Sequence, residues 1–129
     1  MTHVKMPARL WQRTVTFTIP IRVMSEANQR DHWAKRFRRK QQQQELTRIH
    51  AGAVGLAIQP GERLRIALCA VLSQLMDSDN LAGAFKHVRD TLAALIGLDD
   101  GSDRLEWVYT QRKKELEESP FVTVTINSV

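Results

Sequence analysis

Asp77-Ser78-Asp79-Asn80-Leu81 and, further along, Asp99-Asp100-Gly101-Ser102-Asp103 gather carboxylates inside a basic chain of 129 residues and net charge +5. Between positions 77 and 103 six acids meet only two bases, Lys86 and Arg89, for a local charge of −4. In an extended chain residues i and i+2 point the same way, so Asp77 and Asp79 can offer oxygens to one hard cation, with a third acid from the Asp99-Asp100 loop completing the cage. Mg²⁺ suits such a cage because it takes carboxylate and water oxygens, keeps open positions and can bridge a phosphate while activating a water. An EF-hand loop is excluded: Leu81 and Ala82 stand where it needs an oxygen ligand and a sharp-turn glycine. Zinc is disfavoured, since one Cys and four scattered His (His3, His32, His50, His87) show no ligand spacing.

The positive charge is concentrated elsewhere. From Arg30 to Arg48 seven bases meet two acids, which accounts for the whole net charge of +5. A segment of this density is the electrostatic footprint of a protein that neutralises phosphates, the bland alternative being a solvated charged helix. Metal-assisted chemistry on a polyanion is the combined implication. The lone Cys69 sits in an apolar run and reads as a buried, inert thiol, in keeping with a reducing cytoplasm. Met1 to Arg13 carries no apolar signal region, and no stretch approaches the roughly 20 apolar residues that span a bilayer, so the expectation is a cytoplasmic protein with no membrane partner.

The acids need a scaffold. Thr14 to Ile21 alternates threonines with Val15, Phe17, Ile19 and Ile21, the pattern of a half-buried strand, and Pro20 near its end places it at an edge or terminus. Ser25 is positioned as N-cap of a long helix through Trp33 and Phe37 toward Ala53. Trp33 and Phe37 share one face and Leu46 and Ile49 fall on the opposite one, so a bend, a break or a second contact surface is expected near Gln41 to Gln44. Leu64 to Leu72 is apolar on both faces, as a central strand is, and delivers Asp77 and Asp79 just beyond its end. A single amphipathic helix is expected from Asn80 to Ile96, with Asp79, Gly83, Lys86 and Asp90 on its polar side and Gly97 as C-cap. Solvation alone explains Asp90. Leu105 to Lys113 and Phe121 to Ile126 read as two strands joined antiparallel by an exposed hairpin over Arg112 to Pro120. The expected fold is α+β, one domain over residues 14–129 in the order β-α-β-α-β-β, with a small mixed sheet packed by two main helices; residues 1–13 are expected to form a flexible basic tail.

The string Asp77-Ser78-Asp79-Asn80-Leu81, leading to Lys86 and Asp90 and then to Gly97-Leu98-Asp99-Asp100, resembles the acidic motif of Holliday-junction resolvases of the RusA type, small endodeoxyribonucleases of bacteria and their prophages. Ser25-x-x-Asn28 followed by Arg30, His32 and Trp33 is similar to that family's early stretch, so the resemblance covers roughly positions 15 to 126. It implies a homodimeric, Mg²⁺-dependent nuclease, with Mn²⁺ as a substitute, that resolves four-way DNA junctions by paired symmetric incisions in recombination and repair. Asp77, Asp79 and Asp100 would then be catalytic metal ligands, with Asp99 or Asp103 as alternates to Asp100. The family's functional lysine falls at a position held by Gly83 here, and Lys86, one turn later, is the candidate for charge stabilisation. DNA contacts would come from Asn28, Arg30, His32, Lys35, Arg36, Arg38, Arg39 and Lys40, while Trp33 and Phe37 are read as core anchors before base-stacking groups. Two other readings share these residues: a non-catalytic, structure-selective DNA-binding protein of the same fold, and a less selective branched-DNA nuclease.

Overall fold

Among the described residues there are four strands: apolar and polar side chains alternate in β1 (Thr14–Ile19), β3 (Leu105–Lys113) and β4 (Phe121–Ser128), while β2 (Leu64–Leu72) is apolar on both faces. Three helices among the same residues, α1 (Trp33–Gly52), α2 (Ser78–Ala84) and α3 (Lys86–Ile96), complete a single α+β domain. The computed structural model describes residues 13–26, 30, 32–52 and 54–129. The strands form one mixed sheet in the order β1-β4-β2-β3, with β2 parallel to β3 and antiparallel to β4, so β2 is interior and β1 is an edge, both as expected. Leu64, Ile66, Leu68, Ala70 and Leu72 of β2 share a buried face with Val122, Val124 and Ile126 of β4, and Phe85, Val88, Leu92 and Ile96 join them in one core. On the opposite face Thr14, Thr16, Thr18 and Arg65 are exposed, and Ala67 and Cys69 are half-buried. Cys69 therefore lies on the lightly covered side of the sheet and not in the core, because its parity in β2 is opposite to that of Leu68 and Ala70.

Several sequence expectations are corrected. The last two strands do not form a hairpin. The connection after β3 passes the end of β2, where the Lys114 N–H donates to the Leu72 carbonyl (2.8 Å), and returns as β4 between β2 and β1. As an interior strand β2 has its backbone N–H and C=O groups paired along both edges, by β4 and by β3. Arg112 and Glu118 hold that connection; Arg112 hydrogen bonding, joined by the Glu115 N–H, brings the Glu118 carboxyl down to about 2. The helix expected over Asn80 to Ile96 is two helices, interrupted at Phe85 (φ −86°, ψ 0°), whose ring is fully buried and stacks 5.5 Å from Tyr109. Gly97 does close α3, with φ 97° and its N–H donating to the Ala93 carbonyl.

The long helix begins at Trp33 and runs unbroken to Gly52; of the bend, break or second contact surface expected near Gln41 to Gln44 it has the contact surface, since burial starts at Gln43. Its cap is not Ser25. His32 Nδ1 accepts from the Ala34 N–H (3.2 Å), while Ser25 Oγ donates to Asn80 Oδ1 (3.2 Å). Buried side chains of α1 begin only at Gln43 and continue with Thr47 and Ala51, so the first turns project past the core and Trp33 and Phe37 are exposed rather than anchored in it. Residues 1–12 of the expected tail lie outside the described residues, but Arg13 is part of the fold. Its guanidinium donates to both carboxylate oxygens of Glu62 (3.0 Å each) and its N–H to Ser128 Oγ, which ties β1, β4 and the approach to β2 together. Glu62 stays ionised despite the burial that opposes its charge, because the Gln59 N–H, Ser128 and Arg13 hold its pKa below the ordinary 4.5. Among the described residues no helix is long and apolar enough to cross a membrane.

Candidate functional site

β2 ends at Leu72, and the chain before Asp77 is clamped from β3: Gln111 Oε1 accepts from the Met76 N–H (2.8 Å) and Gln111 Nε2 donates to the Met76 carbonyl (2.6 Å). Asp77 is the N-cap residue of α2, extended at φ −62° and ψ 153°, with its carbonyl accepting from the Leu81 N–H. Its carboxylate makes no capping bond. Asp79 lies in the first helical turn, so the chain is extended only up to Asp77 and the two acids are not the in-line i, i+2 pair of a strand. Both are exposed, and neither side chain bonds another described residue. The helix N-terminus partly compensates their mutual repulsion. Asp77 lines a groove of about 660 Å³ with Arg22, Met24, Ser25, Met76 and Asn80.

The second acidic loop is occupied by its own structure. Asp99 Oδ2 accepts from the Gly101 N–H (3.2 Å), closing its turn. The Asp100 carbonyl accepts from Trp107 Nε1 (2.8 Å), and its carboxylate lies 3.0 Å from Arg89 Nε. That Nε–H is not aligned for a hydrogen bond, so the contact is coulombic, while Arg89 donates instead to the Tyr109 hydroxyl (3.0 Å). Burial opposes the charge on Arg89, and Tyr109, Asp100 and Asp90 outweigh it and raise its pKa. Asp103 is exposed, its carbonyl accepting from Arg63. Asp90, Asp99 and Asp100 line a smaller hollow of about 390 Å³.

Gln111, Tyr109 and Trp107 alternate along one face of β3, so they form a ruler. Gln111 holds the chain beside Asp77, Tyr109 meets Arg89, and Trp107 meets Asp100. At about 3.3 Å per residue the two outer anchors are about 13 Å apart, with Arg89 between them. Among the described residues no three His, Cys, Asp or Glu side chains are close enough to hold one metal ion. The donor chemistry of Asp77 and Asp79 fits a hard, oxygen-seeking cation, while Asp100 is engaged by Arg89 and not gathered beside them.

Lys86 opens α3 and faces α1. It lines a groove of about 390 Å³ with Trp33, Arg36, Phe37, Lys40 and His87, and so groups with the basic helix. Of the expected DNA-contacting residues, Arg30, His32, Lys35, Arg36, Arg38 and Lys40 are exposed. Asn28 lies outside the described residues. Arg39 is turned inward and bonds both oxygens of Glu26 (2.8 and 2.6 Å). His87 Nε2 lies 4.0 Å from the same carboxylate. Burial pushes the His87 pKa below its ordinary 6.5, with Glu26 and Asp90 pulling upward and Lys40 and Lys86 downward.

Three residues escape sequence reasoning. Arg22 joins the Asp77 groove from the segment after β1, Gln111 clamps Met76, and Arg89 engages Asp100 and Tyr109. Gln111 and Tyr109 sit in a legible strand, but their partners come from elements more than a dozen residues away, and nothing local signals them. Comparison with known protein families finds no match to this chain, and comparison with curated proteins finds no relative.

Proposed function

We propose that this chain is a Mg²⁺-dependent, structure-selective endodeoxyribonuclease of the RusA type, a homodimer that resolves four-way DNA junctions by paired symmetric hydrolysis. The observation that carries this reading is the linkage of the acidic turn to the basic helix. Ser25 bonds Asn80, inside the acidic motif, and the next residue, Glu26, bonds Arg39 on α1. Two adjacent residues thus tie exposed carboxylates to a helix that exposes Lys35, Arg36, Arg38 and Lys40, as an enzyme that holds a polyanion beside a cation site requires. Asp77 and Asp79 would hold the Mg²⁺, which when bound supplies polarisation of a phosphoryl oxygen and an acidified water. Arg22 lines the same groove as Asp77 and would hold a phosphate there, and the α1 cations with Lys86 would hold backbone without reading sequence. A two-fold dimer would address the two equivalent strands of a junction. Bacterial or phage cytoplasm is the compartment in which such an enzyme would meet its DNA.

One observation favours a second reading, a junction-binding protein without turnover: Asp100 is held by Arg89 away from Asp77 and Asp79. The two separate on a synthetic four-way junction set against linear duplex of the same arms, with Mg²⁺ or EDTA, using wild type and Asp79→Asn. Symmetric nicking by wild type alone, dependent on Mg²⁺, establishes the nuclease. Tight junction binding with no product under any metal overturns it in favour of the binding protein, and equal cutting of flaps and junctions in competition would replace the resolvase with a less selective nuclease.

A further inference from the structure

We propose that the groove between α1 and α3 holds an unpaired DNA nucleotide, its base stacked on Trp33 and its phosphate among Arg36, Lys40 and Lys86. This deepens, and rests on, the DNA-binding reading above. Trp33 and Phe37 are one turn apart on α1 and are 65% and 51% exposed, which is unusual for two large aromatics beside a groove of about 390 Å³. The Trp33 ring has a fixed neighbour: His32, whose Nδ1 accepts from the Ala34 N–H, lies 5.5 Å away centroid to centroid at a 38° tilt. Arg36, Lys40 and Lys86 line the same groove, and its acid, Glu26, already has its charge matched by Arg39.

Aromatic faces flanked by cations are what a single strand needs, since every base offers a π-face and every linkage a negative charge. A duplex would use the cations alone, its bases being stacked on one another, and would leave both rings without a partner. A second copy of this chain is the other occupant of an exposed aromatic pair. A two-fold contact centred here would set Arg36, Lys40 and Lys86 against the same cations of the other copy, a repulsion that DNA turns into attraction.

The test measures binding of a short labelled oligothymidylate and of a blunt duplex of matching length by fluorescence anisotropy in EDTA. Trp33→Ala is expected to weaken oligothymidylate binding roughly 10- to 100-fold while leaving duplex binding within about threefold, with Trp33→Phe recovering most of the loss. Arg36→Gln with Lys40→Gln should weaken both ligands and flatten the salt dependence. Because Trp33 is exposed, an unchanged Tm verifies that the variants fold. Equal loss of both ligands in Trp33→Ala, or no loss of either, overturns the stacking proposal and leaves the DNA-binding reading standing. Wild type that binds neither ligand nor a four-way junction removes that reading and this one together. Dissociation of a dimer by Trp33→Ala in sedimentation, with oligothymidylate affinity retained, assigns the groove to self-association instead.

Discussion

Asp77-Ser78-Asp79 and Asp99-Asp100 have nearly the same composition and opposite circumstances. The first follows the interior strand β2, is clamped by Gln111 just before it begins, and leaves both carboxylates exposed without a bond to another described side chain or backbone group. The second follows the C-cap of α3, and its acids serve the fold: Asp99 closes its own turn, and Asp100 takes Trp107 on its carbonyl and Arg89 on its carboxylate. Adjacent like charges with no protein partner work against folding, whereas partnered ones on a loop contribute to it. The difference teaches where to look for function: in the acids that the fold positions and then does not use.

The largest expected effect follows directly. Asp79→Asn, and independently Asp77→Asn, should reduce Mg²⁺-dependent junction cleavage at least 100-fold, on the order of 3 kcal/mol of transition-state stabilisation, with junction affinity in EDTA unchanged. Their Tm should stay level or rise slightly, since each substitution relieves repulsion. A variant that keeps its cleavage rate would remove the assigned role from the better-positioned of the two acidic sites.

Stability should respond in the reverse sense at the second site. Arg89→Met removes the hydrogen bond to Tyr109 and the charge beside Asp100, and should cost about 2 kcal/mol in urea denaturation. Asp100→Asn keeps the shape, leaves Tyr109 bonded and should cost about 1 kcal/mol. Loss of cleavage by Asp100→Asn at an unchanged Tm would break the contrast, because it would show Asp100 leaving Arg89 to join the ion when DNA and Mg²⁺ are bound.

The parts that were readable in the sequence are those set by local periodicity. Alternation marked β1, β3 and β4, a continuous apolar run marked β2, and the spacing of Val88, Leu92 and Ile96 marked the buried face of α3. Phe85 fits the same spacing whether the helix continues or turns there, so the interruption was silent. Trp33 and Phe37 are one turn apart whether or not anything covers them, and only the length of α1 relative to the core leaves them exposed. An apolar strand signals an interior position without naming the strands that pair with its edges, which is why β4 was expected beside β3 and lies beside β2. At the site, the exposed position of Asp77 and Asp79 beyond a strand was legible. The engagement of Asp100 was not, because Arg89 reaches it from another element.

A titrating group gives a smaller effect. His87 is held neutral by burial, with Glu26 and Asp90 opposing that and Lys40 and Lys86 reinforcing it, so its folded pKa lies below 6.5. The unfolded chain therefore binds more protons as pH falls through 6.5, and the stability present above that pH declines toward the folded pKa. Wild type should lose Tm between pH 7.5 and 5.5, and His87→Gln should lose less over the same interval in differential scanning calorimetry. Equal slopes would show that His87 bears no part of this dependence.

The smallest effect is the control that says whether a partner alone separates the two acidic regions. Arg65 and Glu106 are paired across β2 and β3 at 3.0 Å, the same separation as Arg89 and Asp100, but their side chains are 48% and 54% exposed against 29% and 32%. Water screens the outer pair, and each long side chain loses conformational freedom in forming it, so Glu106→Gln should change stability by less than about 0.5 kcal/mol. Distance being equal, a cost for Glu106→Gln as large as that for Asp100→Asn would mean that reduced solvent access adds nothing to the inner pair, and Asp100 would lose its standing as an acid the fold depends on. A clear gap between the two assigns the difference to the setting of Arg89, held by Tyr109 and shielded beside the core, rather than to the presence of a cation at 3.0 Å.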